Sequence, residues 1–315
     1  MKQLATNLAS LKAGGKASLA RALSALEIQS HQPDVAMLLD AAAREPKGLV
    51  VGLTGPPGVG KSTLTNALIA RIRGRGQTIA VIAVDPSSRN SGGALLGDRT
   101  RIDADPDDPG IFVRSMAARK RLGGVADTTF PAAVLMRALY DYVIVETVGV
   151  GQSETEIADC SDIVVFCAQP GSGDALQFMK AGVMEVPDIV LVTKGDMGAI
   201  ARRAAADVRG ALSLASGSQN SADVAIVSAQ SGEGLEQALD AIARCGRIKA
   251  SEGELLRRRD RQTRSWAEAR LVEVAGQAGL AAIREELART RDIFVDVSCL
   301  STRIRNSIQN SLKYL

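Results

Sequence analysis

Gly55-Pro56-Pro57-Gly58-Val59-Gly60-Lys61-Ser62-Thr63 matches the spacing G-x-x-x-x-G-K-[ST] of a phosphate-binding loop, and its flanks are the ones such a loop needs. An apolar run, Gly48 to Leu53, leads into it, and a helical stretch from Ser62 to Ile72 leaves it. Strand, glycine turn and helix in that order let successive backbone N–H groups point inward, while the helix N-terminus adds positive potential. Lys61 then reaches the β- and γ-phosphates of a nucleotide, and Ser62 offers a hydroxyl to Mg²⁺. Gly55, Pro57, Gly58, Val59, Gly60 and Thr63 complete the cradle.

Outward from this loop, short β-branched runs alternate with helical stretches. The strand candidates are 49–53, 78–84, 142–146, 163–167, 189–192 and 224–227, with a weaker one at 111–113. That alternation predicts right-handed β-α-β units, hence an α/β fold of the P-loop NTPase type with a mostly parallel sheet covered by helices. The chain has 315 residues, 46% apolar and only 3% aromatic, so the core must be built from Val, Leu, Ile and Ala. Buried parallel strands and their covering helices have that composition. Residues 1–46 are expected to form an N-terminal helical extension, 47–246 the nucleotide domain, and 247–315 a C-terminal helical arm whose charged run is either a solvated helix face or a surface for dimerisation or partner contact.

Composition excludes several chemistries. The formal charge of +3 gives no general affinity for nucleic acid. His31 is the one histidine, and Cys160, Cys167, Cys245 and Cys299 form no C-x-x-C pair, so neither a zinc site, a disulfide framework nor a histidine-based triad is expected. There is no apolar signal core and no run of about 18 apolar residues, so no membrane partner and a cytoplasmic location are expected.

A magnesium nucleotide site also needs carboxylates around the metal and a reader for the base. The strand at 78–84 runs into Asp85-Pro86-Ser87-Ser88, and the following loop carries Asp98; both are candidate metal carboxylates. The strand at 142–146 ends in Glu146-Thr147-Val148-Gly149-Val150-Gly151-Gln152, where Glu146 stands as the second metal-binding carboxylate and Gly149 allows close approach to a γ-phosphate. Gln152 is a weaker candidate for orienting water. Thr193-Lys194-Gly195-Asp196 is a T-K-x-D motif: its Asp accepts two guanine donors that adenine lacks, and the Lys stem covers the ring. Ser228-Ala229-Gln230 follows the last strand and supplies backbone N–H groups for the guanine carbonyl.

These segments, together with QPGSGDALQFMKAG from Gln169 and SAQSGEGL from Ser228, resemble the MeaB/ArgK family of methylmalonyl-CoA mutase-associated GTPases across residues 48 to 240. The resemblance implies a GTP/GDP-binding hydrolase, slow alone and stimulated by its partner, that guards cofactor loading and repair of an adenosylcobalamin-dependent acyl-CoA mutase. It implies a homodimer. It assigns Lys61, Asp98 and Glu146 to catalysis, Ser62, Asp85, Asp98 and Glu146 to Mg²⁺, and Asp174, Gln177 and Lys180 to an additional switch. Thr193 stands where the family usually has Asn, which removes an amide expected to support the phosphate loop. Two rivals remain: a P-loop kinase acting on a small acceptor, which leaves T-K-x-D unexplained, and a nucleotide-gated scaffold in which hydrolysis is incidental.

Overall fold

The computed structural model describes residues 5, 7–28, 33–86, 102–118, 128–147, 156–171, 187–215 and 222–312. Its centre is a sheet of seven strands: β1 Leu49–Thr54, β2 Ile79–Pro86, β3 Ile111–Ala118, β4 Tyr142–Glu146, β5 Ile163–Ala168, β6 Ile189–Val192 and β7 Asp223–Ile226. They lie in the order β3-β2-β4-β1-β5-β6-β7, and every pairing is parallel. The chain starts in the middle, builds one half of the sheet, returns, and builds the other. This reversal places the crevice for a ligand beyond the carboxyl end of β1.

All seven strands coincide with the apolar runs in the sequence. The third differs in length, continuing to Ala118 where its apolar run stops at Val113. Arg114 and Ser115 interrupt the pattern, yet among the described residues β3 is an edge strand beside β2, where a partly exposed Arg114 is tolerated.

Side chains alternate across each strand. Val51 and Leu53 of β1, Ile144 of β4 and Val165 of β5 share one face with helix α4 (Lys61–Gly74) and a later helix at Leu235–Ser251. Leu64, Leu68 and Ile72 recur at helical spacing and are 1–2% exposed, so α4 contributes about 1.5–3 kcal/mol for each. On the opposite face, Phe166 and Val190 meet Val208 and Leu212 of a helix at Ala199–Ala215.

The amino-terminal rim of the sheet is fastened by aspartates. Asp141, Asp162 and Asp188 immediately precede β4, β5 and β6, and each carboxylate accepts a backbone N–H from a neighbouring strand or the residue just before it. Asp141 accepts from Thr78, Asp162 from Val50 and Asp188 from Val164, all at 2.8 Å. Asp188 also pairs with the largely buried Lys249 at 2.8 Å.

By packing, residues 48–129 and 140–255 form this sheet unit, and residues 1–47, 130–139 and 256–315 form a second, helical unit. The helices before the sheet are α1 (Leu8–Ala13), α2 (Gly15–Ile28) and α3 (Pro33–Arg44), and α5 (Thr129–Arg137) lies between β3 and β4. In chain order the helices at Ala199–Ala215 and Leu235–Ser251 are α6 and α7, followed by α8 (Glu254–Arg289) and α9 (Ile293–Leu312). In the helical unit Phe130, Trp266 and Phe294 cluster, with the Trp266 and Phe294 rings 4.8 Å apart. Buried Asp40 of α3 caps α9, accepting the N–H groups of Phe294 and Val295 at 3.2 and 2.9 Å. α8 breaks at Gly276, whose φ of 68° leaves the helical region.

Candidate functional site

The loop between β1 and α4 takes its shape from three glycines. Gly55 has φ of 139°, and a Cβ there would stand 2.3 Å from the carbonyl oxygen of Cys167. Gly58 and Gly60 have φ of 75° and 96°. Gly60 occupies the cap position of α4 without any side-chain cap, so the first-turn N–H groups are left to face an anion. Lys61 is 7% exposed, and its ammonium folds back to donate to the carbonyls of Gly55 at 2.7 Å and Pro56 at 3.1 Å. The cation is therefore held within the curl of the loop. Val59 is buried and pins the loop tip, whereas Pro57 and Thr63 are exposed.

Beneath the loop lies Cys167 of β5, fully buried. Burial pushes its thiol up to about 12, a rise that the nearby Lys61 opposes without cancelling. It stays protonated at neutral pH and acts as an apolar floor.

Glu146 meets α4 because Tyr142, Ile144 and Glu146 alternate onto the helix-covered face of β4. Its carboxylate accepts the Ser62 hydroxyl at 2.6 Å and the Thr65 hydroxyl at 2.9 Å. Serine hydroxyl and carboxylate are hard oxygen ligands of the kind Mg²⁺ prefers, so this pair fits the ion the sequence implies. Asp85 is the penultimate residue of β2, the strand next to β4, and its side chain lies outside the described residues. Asp98, Gly149, Gln152, Asp174, Gln177 and Lys180 lie outside them too, as does His31.

The T-K-x-D segment abuts the same loop. The Thr193 hydroxyl donates toward the carbonyl of Val59 at 2.8 Å and lies 3.2 Å from that of Ala168. Thr193 thus fastens the phosphate loop that its departure from Asn was expected to leave unsupported: a hydroxyl reaches the loop carbonyl as an amide would. Lys194 has φ of 53°, the one non-glycine residue in the left-handed region among those described. Its ammonium donates to the Gly58 carbonyl at 3.2 Å and to the Gln169 side chain at 2.9 Å. Gly195 is required sterically, because a Cβ there would approach Ile226 at 2.9 Å. Asp196 accepts the Ser228 hydroxyl at 2.7 Å, which joins the segments after β6 and β7. Ala229 and Gln230 form the turn beyond Ser228, closed by the N–H of Gly232 on the Ser228 carbonyl at 2.9 Å.

Phosphate loop, Glu146, Thr193, Lys194, Asp196 and Ser228 thus converge at one rim. Two participants escaped the sequence reading. Thr65 is three residues beyond Ser62 and so on the same helix face, a signal available in the spacing. Gln169 opens the segment QPGSGDALQFMKAG, but nothing in that segment assigns it a place beside Lys194.

A central parallel sheet with such a loop after β1 defines a P-loop nucleotide-binding protein. Residues 19–280 match the family model described as methylmalonyl-CoA mutase-associated GTPase MeaB, and the chain belongs to that family. A Mycobacterium bovis protein named as a probable GTPase is 36% identical over 295 residues, 89% of this chain and 87% of its own length. The mouse protein named methylmalonic aciduria type A homolog, mitochondrial, is 40% identical over 221 residues, 69% of this chain and 53% of its own. A Pyrococcus abyssi relative with a GTPase name is 51% identical over 148 residues, so the chain spans about half the length of the first curated relatives it matches, 46% in this case. Among solved structures, a protein named LAO/AO transport system kinase is 28% identical with a TM-score of 0.65, covering 93% of this chain and 95% of its own. HypB from Helicobacter pylori, solved in complex with nickel, is 16% identical with a TM-score of 0.52 over 69% of this chain and 96% of its own, and shares the fold. Among the described residues no helix is long and apolar enough to cross a membrane.

Proposed function

We propose that the chain binds and slowly hydrolyses GTP, and that the GTP/GDP difference gates adenosylcobalamin loading and repair of a partner acyl-CoA mutase. The observation that carries this reading is the continuous hydrogen-bonded arc from Glu146 through Ser62, the phosphate loop and Thr193 to Lys194, with Asp196 beside it. Asp196, held by Ser228, would accept the two guanine donors, and the Lys194 stem would cover the ring. Lys61 and the loop N–H groups would hold the β- and γ-phosphates. Ser62, Glu146 and Asp85, with Asp98, would hold a magnesium ion; bound there, it supplies charge neutralisation of the phosphates.

Catalytic roles are proposed for Lys61, Asp98 and Glu146, with Gly149 close to the γ-phosphate. Asp174, Gln177 and Lys180 are proposed to relay the nucleotide state to the mutase, in a cytoplasmic homodimer. Turnover is proposed to be slow in isolation and stimulated by the partner, as the family resemblance implies.

The test is GTP turnover with and without an adenosylcobalamin-dependent mutase, read beside competition of labelled GDP by GTP and ATP. Expected are slow turnover alone, acceleration by the mutase and displacement by GTP only. ATP displacing GDP as well as GTP does would favour the kinase reading, which the name of the 28%-identical transport system kinase keeps in view. Rapid unaided turnover indifferent to the mutase would overturn the gating reading.

A further inference from the structure

Gln169 is the first residue after β5, one strand away from the T-K-x-D segment, which follows β6. Parallel pairing of β5 and β6 runs to Ala168 opposite Val192, so the two chains leave the sheet side by side. The Thr193 N–H donates to the Ala168 carbonyl at 2.8 Å and extends that alignment by one step. Gln169 then stands beside Lys194, and its side-chain oxygen accepts the Lys194 ammonium at 2.9 Å. The second acceptor of the same ammonium is the Gly58 carbonyl, at 3.2 Å.

A lysine stem has four rotatable bonds and loses considerable freedom when fixed. One acceptor anchors the end of such a chain. Two acceptors on different segments fix its direction, because an ammonium has three donors and no plane of its own. The backbone of Lys194, held in the left-handed region, sets where the stem begins, and Gly58 and Gln169 set where it ends.

We infer that Gln169 is a positioning residue of the base pocket: it prepays the ordering of Lys194, so that the stem already lies where a purine ring has to stack. This rests on the guanine-binding reading above. It differs from that reading in its consequence. Gln169 acts on the ring and not on the ring's hydrogen-bonding edge, so it governs affinity for purine nucleotides alike and leaves the choice among bases to Asp196.

The experiment measures Kd for GDP, IDP and ADP on the full chain and on Gln169→Met, Gln169→Glu and Asp196→Asn, with thermal melts of each. Gln169→Met keeps the length of the side chain and removes its acceptor; GDP and IDP should both weaken by about fivefold, the loss of one hydrogen bond, with their ratio unchanged. Gln169→Glu restores an acceptor and should bring GDP affinity back to within about twofold of wild type. A merely structural role would lower the melting temperature of both variants and show no such rescue. Wild-type GDP affinity in Gln169→Met, or a changed GDP to IDP ratio, overturns the inference. Failure of the underlying reading looks different: Asp196→Asn would then leave the preference for GDP over ADP intact.

Discussion

The two rims of the sheet use the same side-chain chemistry for opposite ends. At the amino-terminal rim Asp141, Asp162 and Asp188 each accept a backbone N–H from an adjoining strand or the residue just before it, and Asp141 also accepts the Thr78 hydroxyl at 2.6 Å. At the carboxyl-terminal rim Glu146 and Asp196 accept hydroxyls, from Ser62 and Thr65 in one case and Ser228 in the other. A backbone N–H is fixed in direction and, once buried, must keep a partner. A hydroxyl rotates and both donates and accepts, so it can turn to an arriving ligand without being orphaned. A backbone N–H partner thus suits a carboxylate to tying strands together, and a hydroxyl partner leaves it room to turn to an arriving ligand.

The largest expected effect is at the ligand-facing rim. Glu146→Gln should lower GTP turnover by about a hundredfold while the melting temperature moves little, since the amide still accepts a hydroxyl. A turnover close to wild type would remove Glu146 from the reaction. The converse substitution, Asp162→Ala, should cost about 2–3 kcal/mol in urea unfolding by orphaning the buried Val50 N–H, and leave GDP affinity unchanged. If nucleotide affinity fell and stability held, the contrast between the rims would collapse.

A smaller effect is expected at Thr193, where the two kinds of bond meet. Thr193→Val frees the Val59 carbonyl and should weaken GDP by about fivefold, with Thr193→Asn recovering most of it, as titration calorimetry would show. The smallest concerns Asp40, a carboxylate with backbone partners outside the sheet. Burial outweighs the Phe294 and Val295 N–H groups and lifts its pKa above the ordinary 3.8. A carboxyl raised in the folded state adds stability that is present at low pH and lost as pH climbs through its folded value. Wild type should therefore gain on Asp40→Asn as pH is lowered from neutral through the folded value. Trp266, the one tryptophan of the chain, reports this unfolding from beside Phe294.

The ligand-facing rim was largely legible in the sequence because its residues sit in contiguous motifs. Lys61 and Ser62 belong to one loop, and Thr193, Lys194 and Asp196 to one turn. The strands were legible because buried parallel strands are unbroken apolar runs, and β3 was foreshortened because Arg114 and Ser115 broke its run. The structural rim escaped notice, although Asp141-Tyr142, Asp162-Ile163 and Asp188-Ile189 repeat an aspartate directly before an apolar strand. What local pattern does not encode is pairing at a distance. The bonds of Asp162 to Val50, Glu146 to Ser62 and Asp40 to Phe294 join residues 112, 84 and 254 positions apart. Gln169 belongs with these, since only the parallel alignment of β5 and β6 brings it to Lys194.

The left-handed backbone of Lys194 bears on how this protein would change under selection. A side chain in that conformation costs roughly 1 kcal/mol relative to glycine. A laboratory search for heat resistance, blind to nucleotide, should drift this position to glycine or asparagine and harvest that strain, yielding a hardier molecule with an empty hand.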